Sequence, residues 1–326
     1  MKKRSGVVRS QKWVFPSHPY EGESRLAPRK RSYPTGMYAN MLIQDVTLGI
    51  IPFRDASGEY KINVVPATSG SKMGRDIAVA LNPRDYPRGL TEALGDFVRE
   101  AAGGILTNGG AAFEIVYLSE PTGKTIGFEF IRIPFSQLIQ IGGEYYQNVP
   151  NTTGASHDIA TRVTLETENV VLMELPRHLK REIGEFWGPL HVLGDSIMPE
   201  FVLESMSRRD TSVPYDAKEH IRSRSLALAS TVKSVGWNGR GSLQEFTTEY
   251  YYLHRELVFE GLKIELRNSI LDRINEALKR VGKKLGFEAK LEIEGLPGLD
   301  DVRRAQEHLT AGDQSFEGIF RPFRRV

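Results

Sequence analysis

The chain has 326 residues, of which 40% are hydrophobic and 26% are charged, so it can bury the core of one large domain or of two medium ones. No apolar run approaches the roughly 18 residues of a membrane span, and no hydrophobic segment follows the basic N-terminus, so neither a transmembrane helix nor a secretory signal is expected. The absence of cysteine excludes disulfides, cysteine-based zinc sites and thiol catalysis.

The N-terminal segment, residues 1–40, has a composition of its own. Residues 1–35 contain nine lysines and arginines against two glutamates, among prolines, serines and scattered aromatic residues. This composition predicts an extended basic arm rather than a domain. A basic arm on a mildly acidic body is typical of attachment to nucleic acid or to an acidic protein surface, and the alternative is a solvated tail without a partner.

Residues 41–180 are predicted to form an α+β domain with a meander of antiparallel strands. Short apolar runs broken by turn residues favour a strand hairpin from Met41 to Val65. Apolar residues at helical spacing from Leu90 to Ala101 predict a helix that stops at Gly103–Gly104, since glycine often ends helices. Six further strands are predicted, at Ala111–Leu118, Ile126–Ile133, Leu138–Ile141, Tyr145–Asn148, Arg162–Thr167 and Val170–Leu175.

Beyond Pro176 the pattern becomes mainly helical, and residues 181–241 and 242–326 are the third and fourth predicted segments. Their predicted elements are, in order, the helices Leu190–Ser207 and Asp216–Val235, the loop Gly236–Ser242, one long helix, the strand Ala289–Glu294 and the helix Leu299–Leu309. A basic tail follows.

The long helix is predicted from a heptad pattern. A large apolar residue occupies every seventh position, at Leu243, Tyr250, Leu257, Ile264, Leu271, Leu278 and Leu285. At a rise of 1.5 Å per residue the helix is roughly 60 Å long, so its stripe needs a partner from this chain or from neighbouring copies. The companion positions fail at Glu260 and Arg267, beside Gly261, which predicts a kink or a hydrated patch.

No residue pattern predicts catalysis. The seven histidines are scattered, and none lies three or four residues from another, so no metal site is expected. Gly123–Thr125 resembles the end of a phosphate-binding loop, but Leu118 stands where that motif requires glycine. The chain is therefore not expected to be an enzyme or to hold a cofactor.

The loop Gly236–Ser242 is the candidate functional segment. Trp237 offers an aromatic platform, Arg240 is a cation, and the glycines give mobility, so the loop could slide along a phosphate backbone through weak contacts. The alternative is a helix–helix connection in which the tryptophan is buried as a packing residue.

Taken in order, the segments resemble the portal proteins of tailed bacteriophages, where a wing domain is followed by stem helices, a tunnel loop and a long kinked helix. Leu106–Ile115 is similar to the family's glycine-containing stretch before a wing strand, and Phe186–Leu190 resembles the start of its first stem helix. His220–Gly236 resembles the helix that runs into the tunnel loop, Tyr250–Leu278 the long helix after it, and Leu309–Asp313 the closing helix and turn.

The resemblance spans about residues 40–315 and implies an N-terminal α+β wing domain, a helical stem and no enzymatic activity. It implies a homo-oligomeric ring, expected to be a dodecamer, at a capsid vertex of a virion that is assembled in the host cytoplasm. Such a ring conducts double-stranded DNA without sequence specificity during packaging and ejection. The implied partners are the major capsid protein, the terminase large subunit and a head–tail adaptor, without a membrane.

The resemblance also implies site residues. The DNA-channel candidates are Lys233, Trp237, Asn238 and Arg240, of which Lys233 and Arg240 would contact phosphates. The stem and clip candidates are Arg208, Arg209, Arg222 and Arg224. The arm would contact the capsid or a neighbouring subunit through Lys2, Lys3, Arg4, Arg29, Lys30 and Arg31. Arg208–Tyr215 is shorter than the family's clip, which indicates a short variant.

Two alternatives stay open. The chain could be another virion connector or a minor capsid protein without a DNA channel. It could also be an enzyme or a nucleic-acid regulator that shares only a long coiled-coil helix with the family.

Overall fold

The computed structural model describes residues 13–14, 24–25, 37–52, 60–66, 70–82, 89–149, 161–180, 217–240 and 248–323. They combine helices with antiparallel sheets, which confirms the predicted α+β class. The helices are α1 (Met37–Ile50), α2 (Gly70–Leu81), α3 (Leu90–Asn108), α4 (Ala217–Val235), α5 (Glu249–Leu285), α6 (Leu299–Ala311) and α7 (Phe316–Phe320). The strands are β1 (Trp13–Val14), β2 (Ser24–Arg25), β3 (Lys61–Val65), β4 (Gly110–Ser119), β5 (Thr125–Ile133), β6 (Leu138–Ile141), β7 (Glu144–Val149), β8 (Thr161–Leu165), β9 (Val170–Glu174) and β10 (Lys290–Glu294).

The chain forms two compact units, each assembled from segments that are far apart in sequence. The first unit consists of residues 1–29, 47–175 and 266–296, and the second unit of residues 30–46, 176–265 and 297–326. The sequence predicted four consecutive segments. Periodicity reports the conformation of a segment and not which segments meet in space, so this interleaving was not visible in it.

The described residues of the first unit form three sheets, in which all paired strands are antiparallel. Their strand orders are β5-β4-β9, β1-β8-β7-β6-β2 and β10-β3. The six strands predicted between Ala111 and Leu175 are confirmed within two residues at each end. The predicted basic arm contributes β1 and β2, which pair with β8 and β6.

The predicted strand hairpin at Met41–Val65 is wrong in its first half, which is the helix α1. Leu42, Val46 and Ile50 are buried and lie four residues apart, so they face the same side of a helix. The β-branched residues of this segment favour a strand, but the burial of that face decides the conformation. Among the described residues of this segment, β3 at its end is the part that forms a strand.

The helix α3 passes through the predicted stop at Gly103–Gly104 and ends at Asn108. Both glycines are helical, and a Cβ on Gly104 would lie 3.1 Å from the Ala111 Cβ, so glycine permits the close packing of α3 on β4 there. Gly109, with φ of 81°, is the actual cap. Packing therefore outweighs the low helix propensity of glycine.

The core of the first unit lies between α3 and the β5-β4-β9 sheet. The Phe97 ring stacks on Phe113 with centroids 4.4 Å apart and meets the edge of Phe130 at 5.6 Å. Part of α5 also belongs to this unit. Its Ile274, Leu278 and Val281 are buried, in the register of the predicted heptad pattern.

The predicted long helix is confirmed as α5, whose 37 residues extend over about 55 Å. In the second unit its Leu253, Leu257 and Ile264 form one apolar cluster with side chains of α6 and α7. The apolar stripe thus has a partner within its own chain along this stretch. The predicted start at Leu243 lies outside the described residues, as does the predicted helix Leu190–Ser207.

Candidate functional site

The candidate loop begins where α4 ends, at Gly236. This residue has φ of 76°, and its N–H donates to the Val232 carbonyl at 3.0 Å, which closes the last helical turn. A Cβ at Gly236 would lie 2.2 Å from the Arg255 carbonyl oxygen and 2.7 Å from the Phe259 nitrogen. The loop backbone therefore lies directly on α5, and only glycine fits.

Trp237 is buried, with 3% of its surface exposed. Its indole N–H donates to Asp45 Oδ2 at 2.8 Å. Its carbonyl oxygen lies 2.9 Å from the hydroxyl of the buried Thr231, which is also 2.8 Å from the Leu228 carbonyl and can donate its single proton to one of them at a time. The expected aromatic platform is thus wrong, because the ring of Trp237 is buried and hydrogen-bonded and presents no face to solvent.

Arg240 extends the same network. Its Nε donates to Asp45 Oδ1 at 2.8 Å, and its Nη2 donates both to Asp45 and, at 3.0 Å, to Gln44 Oε1. The hydrogen bond to Asp45 raises the pKa of Arg240, with a smaller Coulombic contribution from the same carboxylate. The guanidinium is therefore held in its charged form beside a negative partner.

The glycines of the loop serve close packing instead of the expected mobility. A Cβ at Gly239 would lie 2.8 Å from Leu228 Cδ2 and 3.4 Å from the Tyr38 ring, and φ there is 72°. Residues 236–240 consequently contact α1, α4 and α5 at once. The two residues of α1 that bind the loop could not be identified from sequence, because Asp45 lies 192 residues from Trp237.

The other candidate residues differ in their surroundings. Lys233 is exposed in the last turn of α4, Arg222 is exposed earlier in the same helix, and Asn238 is half-buried. Arg224 belongs to α4, but its side chain lies outside the described part of the structure. Also outside it are Arg208, Arg209, Lys2, Lys3, Arg4, Arg29, Lys30 and Arg31.

Charged side chains are buried along α5 beside the loop, which the heptad pattern did not predict. Arg255 donates to Glu256 at 2.7 Å, and its guanidinium lies 5.0 Å from the centre of the Tyr252 ring. Burial raises the pKa of the Glu256 carboxyl, an effect that Arg255 and Lys263 oppose and that Glu260 and Asp45 reinforce. The failure of the heptad pattern at Glu260 and Arg267 was a sequence signal for buried charge on α5.

The second unit also contains a cavity of about 280 Å³ that is lined by residues of α4, α5 and α6. Leu179, Val235 and Leu257 contribute apolar walls, and Glu265 and Arg303 contribute charge. Glu265 Oε2 is 2.6 Å from His178 Nε2. Across the described ranges, no group of three or more His, Asp or Glu side chains could hold a metal ion. No described helix is long and apolar enough to cross a membrane.

Comparison with known proteins gives one kind of match. No family model and no curated protein matches the chain. Among solved structures, the chain is similar to one from the neck of an empty GTA particle computed with C6 symmetry. The two are 14% identical with a TM-score of 0.43, and the match covers 89% of this chain and 93% of the other.

Proposed function

We propose that the chain is a ring-forming head–tail connector of the portal type, located at a capsid vertex of a virion. In this proposal the ring conducts double-stranded DNA without sequence specificity during packaging and ejection, and the subunit has no enzymatic role. It binds further copies of itself, the major capsid protein, the terminase large subunit and a head–tail adaptor.

The observation that carries the proposal is the order of the elements. An α+β region with antiparallel sheets comes first. The helix α4 follows and runs into a tight loop, and the helix α5, of 37 residues, comes after the loop. A strand and two closing helices complete the order. This is the sequence of wing, stem helix, tunnel loop and long helix in the portal proteins that the chain resembles.

The distribution of charge at the loop supports a conduit. Tight phosphate contacts would stall a moving duplex, so a channel needs few free cations. Arg240 is bonded to Asp45, while Lys233 is exposed in the last turn of α4. Lys233 is therefore the proposed phosphate contact, and Trp237 has no direct role in the proposal.

The internal packing of α5 argues against the third class, a regulator that dimerises through a coiled coil. Leu253, Leu257 and Ile264 would form the seam of such a dimer, but they contact α6 and α7 of their own chain. Separating them would expose a buried apolar cluster. Contacts between ring subunits must use other surfaces, and a closed ring needs two different complementary ones.

Electron microscopy of the purified protein tests the proposal. We expect a ring with a central hole wide enough for duplex DNA. A monomer, or an elongated dimer joined along α5, would contradict it. The ring should persist in Lys233→Gln, while the negative slope of log affinity for duplex DNA against log salt should become less steep by about 0.9 per contacting subunit. Lys72→Gln is the matched control, because Lys72 is exposed on α2 of the first unit.

A second candidate is a connector or minor capsid protein without a DNA channel. The burial of Trp237 favours it, since it removes an aromatic contact group from the loop. A closed disc in the same micrographs, together with duplex binding that Lys233→Gln leaves unchanged, would support this candidate over the portal.

A further inference from the structure

We propose that Asp45 is a positioning residue for the loop of residues 236–240, which keeps Trp237 buried and keeps the positive charge of Arg240 from acting on DNA. The second half of this inference rests on the proposed function, because it concerns a duplex that passes the loop. The first half concerns the subunit alone.

The geometry places Asp45 at the centre of the loop's polar contacts. Its two carboxylate oxygens accept from the Trp237 indole and from two nitrogens of Arg240. Asp45 is partly enclosed, with 22% of its side chain exposed, and Arg240 is 43% exposed. One carboxylate thus fixes both a buried aromatic residue and an accessible cation.

The backbone of Arg240 indicates that this contact holds the loop against a local preference. Among the described residues other than glycine, Arg240 alone has a positive φ, of 58°. A side chain in this left-handed conformation is strained, and it persists where surrounding contacts outweigh the strain. The contacts here are those with Asp45 and Gln44. Without Asp45, the end of the loop is free to return to an unstrained conformation.

The charge argument follows from the same pair. An arginine that is bonded to a carboxylate releases fewer counterions when a phosphate approaches, because its charge is already compensated. Neutralising Asp45 therefore adds one available cation to each loop. Removal of the negative charge of Asp45 is therefore predicted to tighten the binding of duplex DNA.

The first arm of the test needs no DNA. The chain has three tryptophans, so Trp13 and Trp187 are replaced by phenylalanine to leave Trp237 as the only fluorophore. In this background, acrylamide should quench Trp237 at least about threefold more efficiently in Asp45→Ala than in the parent. Asp45→Glu should restore most of the protection. Equal quenching in the parent and in Asp45→Ala, with both folded by circular dichroism, would overturn the anchoring role.

The second arm measures duplex affinity against salt for the assembled protein. Asp45→Asn should bind several-fold more tightly than wild type at low salt, with a slope steeper by about 0.9 per contacting subunit. The gain should vanish in Asp45→Asn/Arg240→Gln. Asp300→Asn, which removes an equally negative but highly exposed side chain on α6, controls for net charge.

The outcomes separate the two proposals. If Asp45→Asn gains no more affinity than Asp300→Asn, or keeps its gain in the Arg240→Gln background, the charge-masking role is wrong. If wild type forms no ring, the portal function fails, while the quenching of Trp237 still decides whether Asp45 anchors the loop.

Discussion

The side-chain amide of Asn275 forms both outward backbone hydrogen bonds of Leu291. Its Nδ2–H donates to the Leu291 carbonyl at 3.0 Å, and its Oδ1 accepts from the Leu291 N–H at 2.7 Å. Since β10 pairs with β3 on its other side, Asn275 of α5 takes the place of a further strand. A single side chain thus ties the long helix to the edge of a two-stranded sheet.

We expect Asn275→Ala to lower the free energy of unfolding by about 2 kcal/mol, because it leaves two partly buried backbone groups without their partner. Chemical denaturation measures this. Asn63→Ala is the matched control on the same sheet, since its side chain makes an exposed contact to Glu294. The control should change stability by less than about 0.5 kcal/mol, and equal losses in the two variants would contradict the assignment.

Gly236→Ala should destabilise the protein by about 3 kcal/mol or more, since the new Cβ would meet the α5 backbone in addition to straining φ. Gly286→Ala isolates the second effect: φ is 78° there, and no atom lies within 4 Å of the Cβ position. That variant should lose only about 1 kcal/mol. Thermal unfolding of both variants compares them, and similar losses would show that the loop does not lie on α5.

Leu257→Ala should cost about 3 kcal/mol, as expected for a fully buried leucine. Tyr250, one heptad earlier, is 42% exposed and stacks on His254, so Tyr250→Ala should cost less than about 0.5 kcal/mol. Denaturant titration at several protein concentrations measures both. A loss for Leu257→Ala that depends on concentration would instead place this residue between subunits.

Because of Glu256, the free energy of unfolding should fall as pH rises. The fall should begin near the pKa of a glutamate in an unfolded chain, about 4.3, and continue through the raised pKa of Glu256 in the folded protein. Above that pKa the native state carries a buried charge, whereas the unfolded chain has already released its proton at lower pH. Glu256→Gln removes this contribution, so its free energy of unfolding minus that of wild type should be more positive at pH 7 than at pH 4. A difference that is constant or that falls with pH would contradict the raised pKa.

The strands between Ala111 and Leu175 were predictable because each side of an antiparallel strand repeats every second residue, and turn residues bound every run. The helix α1 was not, since its β-branched residues match a strand as well as a helix until burial selects one face. Gly103 and Gly104 misled for a related reason. The small size of Gly104 serves contact with β4, which no local pattern reveals.

The candidate loop was located from sequence, but its interior was not. A Gly-Trp-Asn-Gly-Arg run indicates a turn and an available cation, but it does not indicate whether a carboxylate from another part of the chain contacts that cation. Asp45 belongs to a helix that the sequence analysis had assigned to strands, so its contact with Arg240 could not be anticipated. The packing alternative for Trp237 depends on tertiary partners such as Asp45, which only the fold supplies.

The pairing of β3 with β10 has a consequence for biosynthesis. The side chains of Asn63 and Glu294 that meet across this sheet are separated by 231 positions, so the ribosome must deliver residue 294 before β3 finds its neighbour. Contacts of such long range form late and slowly. Until residues 290–294 have been synthesised, β3 therefore lacks the strand that it pairs with in the folded chain, and its edge is open.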